Sequence, residues 1–276
     1  MEIGIYPNWA RPGVGVKPRS DRQRPLLPQH ARHCPVLEAG NALGFLVYPA
    51  LEEHEAFQVQ FRGEGQYCFR YFMRNLVGKW QTMFTVNIQL PVGSIGAIME
   101  EVEFGMPDLP VTKQGALKMI RTFIVLEDLG TPAGAVTLRG AWNFKTPPGW
   151  DTVYTPVLNM IERPIAPTLV VRVETDWFPH DSEFRYVLQP GEGLPGARNL
   201  AIGQAFFVPR EEHTLKEVGE EQLDALRDAK DEFLREKMKL RRTTRQGLEY
   251  SPHYARISRS LREAEDAASE ADEEEE

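Results

Sequence analysis

Residues 57–62 read Phe-Gln-Val-Gln-Phe-Arg, and residues 84–90 read Phe-Thr-Val-Asn-Ile-Gln-Leu. In both, apolar side chains (Phe57, Val59 and Phe61; Phe84, Val86, Ile88 and Leu90) alternate with polar ones. A period of two turns one strand face to a core and the other to water. Outward from these two stretches, Gly and Pro punctuate residues 40–210 at short intervals. The runs between them read as strands at 43–49, 66–73, 120–126, 134–143, 152–158, 168–174, 183–188 and 200–208. A parallel α/β sheet needs long helical crossovers between its strands, and this stretch has no room for them. The expected fold is mainly β, an antiparallel barrel or β-clip-like sandwich, with one short helix at 112–120.

Beyond Pro209 the pattern changes. No Pro occurs from Leu215 to Leu240, and Leu223, Leu226, Phe233, Leu234 and Met238 recur near helical spacing among Glu, Lys and Arg. This predicts a long charged helix whose thin apolar stripe must dock on something, because an isolated helix is marginal in water. Gly247 is a natural stop, and Tyr254, Ile257 and Leu261 mark a second amphipathic piece. The organisation expected is a Pro-rich segment at 1–40 packing on the β domain, that domain at 41–212, a helical extension at 213–262 and a disordered acidic tail at 263–276. No internal repeat is evident.

Composition bounds the function. The 276 residues are 42% hydrophobic and 26% charged, enough apolar mass for a sizeable core and too much for a disordered chain. Two cysteines, Cys34 and Cys68, make no disulfide framework and suit a reducing cytoplasm. Residues 1–18 lack an apolar segment of signal-peptide type and no long apolar run follows, so neither secretion nor a membrane contact is expected. The formal net charge is −8, which argues against nucleic acid as a partner. Its distribution is uneven: residues 235–262 hold nine Lys/Arg and two Asp/Glu, and residues 263–276 hold nine acids and no base. Such blocks are solvated faces or interaction tails.

No phosphate-binding Gly-x-x-x-x-Gly-Lys-Ser/Thr loop, Gly-x-Gly-x-x-Gly helix start or Gly-x-Ser-x-Gly elbow is present. The glycine pairs Gly13/Gly15 and Gly63/Gly65, and the group Gly191, Gly193 and Gly196, read as turns. A metal site needs several donors converging on one point. His30, His33 and Cys34 are close in sequence without a matching distant pair. His180 and Asp181 supply two ligands of a facial triad, for which the implied chemistry is a metal-dependent oxygenase on a β-barrel.

Glu174 and Asp176 stand at i and i+2, on one side of a strand, with Trp177 and Phe178 following. They read either as a ligand site or as a solvated strand end next to packing aromatics. Two resemblances bear on them. Lys145-Thr146-Pro147-Pro148-Gly149-Trp150, then Tyr154-Thr155-Pro156 and Leu158-Asn159, together with Pro7-Asn8-Trp9, His33-Cys34-Pro35 and Gly203 through Glu211, resemble in order an uncharacterised bacterial domain family. That family implies no activity. More remotely, Val173-Glu174-Thr175-Asp176-Trp177 and Ile202-Gly203-Gln204-Ala205-Phe206 resemble two stretches of dUTPase-like β-clip proteins.

That second resemblance implies a trimer in which Glu174 activates water, with Asp176 beside it, and Trp177 stacks on sugar and base. Arg172, Arg185, Gln204 and Trp150 are the ligand-binding candidates, with Arg198 a further donor. Departures are clear: Glu stands where those enzymes carry Asp, and neither an Arg-Ser-Ser motif nor a Gly-rich phosphate-closing arm is present. A longer side chain moves the reacting oxygen by more than about an ångström, enough to cost roughly 100-fold in rate. The leading expectation is therefore an oligomeric β-barrel binding or assembly module whose segment 215–262 docks a subunit or protein partner. The alternatives are a dUTPase-like nucleotide or small-metabolite hydrolase and the oxygenase. No cofactor is specified by these residues.

Overall fold

The computed structural model describes residues 2–22, 34–91, 98–106, 111–160, 169–243, 247 and 249–274. They divide into two compact units, one of residues 2–22 and 39–210, the other of residues 34–38 and 211–274. Helix α1 (Pro35–Asn41) runs across the junction in sequence.

The first unit is built from antiparallel sheets. One carries β3 (Glu55–Gly63), β4 (Gln66–Arg74), β5 (Trp80–Gln89) and β6 (Met99–Phe104), with β13 (Gly193–Ala197) on the outer side of β3. A second is ordered β11 (Val171–Val173), β10 (Trp150–Thr155), β14 (Gly203–Pro209) and β2 (Phe45–Val47). A third joins β12 (Glu183–Val187), β8 (Ala135–Arg139) and β7 (Ile124–Val125), and β1 (Gly4–Pro7) pairs with β9 (Trp142–Lys145). Among the described residues each sheet is a linear order of strands, none closed on itself.

The alternation that predicts β3 and β5 decides the core. Register aligns Phe57 with Tyr71 and Phe84, Val59 with Phe69 and Val86, and Phe61 with Tyr67 and Ile88. All nine are buried. These cross-strand rows lock the pairing, because a slip of one residue would turn every ring to solvent. Helix α2 (Lys113–Ile120) forms where expected, capped by the Thr112 hydroxyl accepting from the Gly115 amide at 3.1 Å.

Several expectations need correction. The run 134–143 is not one strand: it breaks between Arg139 and Trp142, where Gly140 donates to Ser182 O and Ala141 to Tyr48 O, and the chain passes from one sheet to another. Gly193 and Gly196, read as turn glycines, lie in β13; a Cβ on Gly196 would come within 2.2 Å of the Phe57 ring. Strands β1 and β6 escape the alternation rule, being short or mostly exposed.

In the second unit, α3 (Glu220–Lys239) and α4 (His253–Glu274) are joined by a small hairpin of β15 (Arg242–Thr243) and β16 (Glu249–Tyr250). Glu220 and Glu221 open α3, and Lys237 and Lys239 close it, each complementing the helix dipole. No residue of α3 is buried. Helix α4 continues to Glu274, well into the stretch read from sequence as a disordered tail. No helix among the described residues is long and apolar enough to cross a membrane.

Candidate functional site

The side chains singled out around 145–150 and 172–177 meet at one end of the β10–β11–β14 sheet. Asp151 lies on β10, opposite Val208 of β14, in a run that is otherwise apolar or hydroxylic. A carboxylate there is nearly fully buried and needs cations. Arg172 of β11 donates Nε–H to Asp151 Oδ2 at 2.6 Å. Arg210, one residue past β14, donates Nε–H and Nη2–H to Asp151 Oδ1 at 3.0 and 2.6 Å. One carboxylate thus holds the two strands that flank its own.

Arg210 also reaches the turn that follows β11. Its Nη2 lies 2.7 Å from Asp176 Oδ1, and its Nη1 lies 3.5 Å from Glu174 Oε2. The turn closes on itself, with the Phe178 amide donating to Glu174 O at 3.0 Å and the Trp177 indole N–H to Glu174 Oε2 at 2.5 Å. The Thr146–Trp150 turn packs against it. Gly149 donates its amide to Asp176 Oδ2 at 3.0 Å, from a left-handed conformation (φ +79°) that glycine adopts without strain. Beneath, Thr175 Oγ1 is 2.6 Å from Thr152 Oγ1 and 2.9 Å from Thr146 Oγ1, and Thr146 donates to Trp150 O. Trp150 itself is half-buried.

Electrostatics follow from these contacts. Burial alone would raise the Asp151 pKa; hydrogen bonds from Arg210 and Arg172 outweigh it and hold the carboxyl below its usual range. Asp176 is lowered chiefly by its Arg210 hydrogen bond, then by the Gly149 amide. Arg210 is raised by the same two acids. Both guanidinium groups are engaged by carboxylates, whereas the exposed Lys145 Nζ, 3.4 Å from Asp176 O, has no carboxylate partner among the described residues.

A row of aromatic rings runs on from the turn. Trp177 and Phe178 have centroids 5.6 Å apart, and Phe178 and His180 5.4 Å. The Tyr6 hydroxyl donates to His180 O, and Tyr6 lies 5.7 Å from Trp9. Trp177 and Trp9 are 66% and 72% exposed, an unusual outlay of indole surface.

The remaining sequence candidates lie apart from the cluster in their bonding. Arg185 of β12 pairs with Asp128 and takes Thr137 Oγ1 as an acceptor. Gln204 is fully buried on β14, donating to Leu43 O and accepting from the Leu158 amide, a latch between loops. Arg198 pairs with Glu53. His180 Nε2 is 3.7 Å from Glu183 Oε2, its Nδ1 is buried without a partner, and Asp181 accepts from Asn143 and lies 3.8 Å from Arg139. Burial raises the Glu183 carboxyl pKa in spite of His180 and Arg139. Among the described residues no three His, Cys, Asp or Glu are placed to hold a metal ion; His30 and His33 lie outside those residues.

Sequence reading missed Asp151 and Arg210, which organise the cluster. A lone acid inside a strand's apolar run was the available signal, since such a group needs a cation from elsewhere in the fold. No family model, curated protein or solved structure matches the chain.

Proposed function

We propose that the chain is an oligomeric binding and assembly module. Its β-clip-like body presents the aromatic surface around Trp177, and its helical extension docks a further subunit. One observation carries this reading: both oxygens of Asp176 are taken, by Arg210 and by the Gly149 amide, and Glu174 Oε2 accepts the Trp177 indole N–H and lies beside Arg210. A general base must reach a water with an uncommitted lone pair, and three of these four carboxylate oxygens are engaged in holding a turn. The exposed rings beside them are of the type that supplies most of the energy in protein and ligand recognition. A reducing, cytoplasmic setting accords with Cys34 and Cys68 both being free thiols.

A dUTPase-like hydrolase is the second reading. It is favoured by Glu174, Asp176 and Trp177 sharing one turn beside the exposed Lys145, and opposed by the engagement of Arg172 and Arg210 by carboxylates. Turnover of a panel of nucleotides and phosphorylated metabolites, by wild type and by Glu174→Gln, separates the two. The binding reading expects no turnover that depends on Glu174. Hydrolysis of any member that Glu174→Gln abolishes, with the fold intact by circular dichroism, overturns it in favour of the second.

A further inference from the structure

We propose that the tip of the β4–β5 hairpin inserts into the interfacial zone of a bilayer that carries anionic lipid; this contact goes beyond the aromatic surface around Trp177 and shares no residue with it. Asn75 O accepts the Gly78 amide at 2.8 Å and Lys79 O the Asn75 amide at 2.9 Å, which makes a turn with Leu76 and Val77 at its centre. Asn75 Oδ1 accepts the Val77 and Lys79 amides at 3.2 and 2.9 Å, and Gly78 takes the left-handed conformation (φ +81°) that closes such loops. The turn owes its shape to Asn75 and Gly78, and the two positions between them accept most residues. They hold aliphatic side chains, Leu76 fully exposed and Val77 77% exposed. A turn fixed in this way keeps both from folding back onto the sheet.

What stands behind the tip selects the occupant. Arg74 and Trp80 face each other across the hairpin, with Lys79 beside them and the Trp80 ring 47% exposed. Arg74 donates Nε–H to Gly78 O at 3.1 Å and lays its guanidinium over the Trp80 ring, 5.7 Å from the centroid. Neither Arg74 nor Lys79 has a carboxylate partner among the described residues. No Asp or Glu occurs from Gly65 to Met99, in a chain that carries 40 of them. Glu53, next to the residue whose carbonyl accepts the Arg74 amide, is itself paired with Arg198. Along the hairpin axis an aliphatic tip is thus followed by a collar of two cations and an indole, the order in which a bilayer presents acyl chains and then the headgroup belt where Trp, Lys and Arg gather. A protein would need a cavity shaped to this convex tip, whereas lipid opens around it. Each cation at an anionic surface is worth about fivefold in partition, so the contact is reversible. The net charge of −8 is screened beyond a Debye length of about 8 Å, and the collar acts at the surface itself. The expectation of no membrane contact rests on the lack of a long apolar run, which bears on spanning segments and not on a tip of two residues.

The test uses the full chain with vesicles of phosphatidylcholine, alone or mixed equally with phosphatidylserine. Wild type is expected to float with the mixed vesicles, more strongly at low than at physiological salt, and to stay behind with the neutral ones. The double variant Leu76→Ser/Val77→Ser, altered where the side chains meet only water, is expected to lower the partition coefficient about 10-fold or more. Lys79→Glu, a change of two charges, is expected to lower it about 25-fold. In a Cys34→Ser background, a fluorophore on Leu76→Cys should be quenched by nitroxide-bearing acyl chains. One on Glu64→Cys, in the turn at the opposite end of the same sheet, should not. Wild type that floats with neither vesicle overturns the proposal. Binding that the double variant retains, or equal quenching at the two labelled positions, overturns it as well. A tip that crosslinks to a soluble protein without any flotation overturns it in favour of a protein partner.

Discussion

Asp151 shows how a single residue can organise a site that its neighbours in sequence do not reveal. Glu174, Asp176 and Trp177 were legible because two acids at i and i+2 followed by a ring form a local pattern. Arg210 was not, since it reaches Asp151 from 59 residues away and nothing near either residue announces the other. Replacing Asp151 by Asn leaves two half-exposed arginines facing a neutral amide. The expected loss is about 1–2 kcal/mol, below the cost for a wholly buried pair because water screens the guanidinium ends; urea denaturation measures it.

The sign with pH follows from the lowered Asp151 and Asp176 values. A carboxyl whose folded pKa lies below its unfolded value of about 3.9 stabilises the fold above that pH, and the contribution vanishes as pH falls through the folded value. Stability should therefore drop below about pH 4, and Arg210→Gln should flatten that drop. An equally steep drop in the variant would mean that other carboxyls govern it. Glu55 offers a second case, only 5% exposed and held by Arg11 through two bonds of 2.7 and 2.9 Å and by the Tyr71 hydroxyl. Glu55→Gln strands a largely buried guanidinium, and a loss of about 3 kcal/mol is expected in the same denaturation experiment.

Among the elements, legibility tracked how strongly each is half-buried. β3 and β5 alternate because one face meets the core and the other meets water. β13, Gly-Leu-Pro-Gly-Ala, carries turn residues for a tertiary reason: its Gly196 lies against the Phe57 ring, which no local rule anticipates. β6 is mostly exposed, so its pattern carries little signal. The two turns that form the site could be read as turns but not as neighbours, since their contact depends on β10 and β11 pairing across residues 152–173. Gly149 gives an element-level test. A Cβ there meets nothing within 4 Å, so Gly149→Ala acts through the left-handed backbone alone, and a loss of about 1 kcal/mol is expected. An unchanged unfolding midpoint would show that the 145–150 turn relaxes freely and does not hold Asp176.

For the molecule as a whole, the antiparallel β character and the long charged helix after Pro209 were legible from periodicity, whereas the length of α4 was not. How the sheets join was not, because sheet order depends on contacts distant in sequence. On the proposed reading, the acids beside Trp177 hold together a surface for recognition and do not form a reaction centre. Natural reaction centres keep like charges and unsatisfied groups at a cost in stability, and neutralising them commonly stabilises the fold. Structural ties behave in the opposite way. Calorimetric melting of the double variant Glu174→Gln/Asp176→Asn at neutral pH distinguishes the two most directly. The proposed reading predicts a melting temperature below that of wild type, with the transition still cooperative. A melting temperature equal to or above wild type would contradict it and return these carboxylates to catalysis.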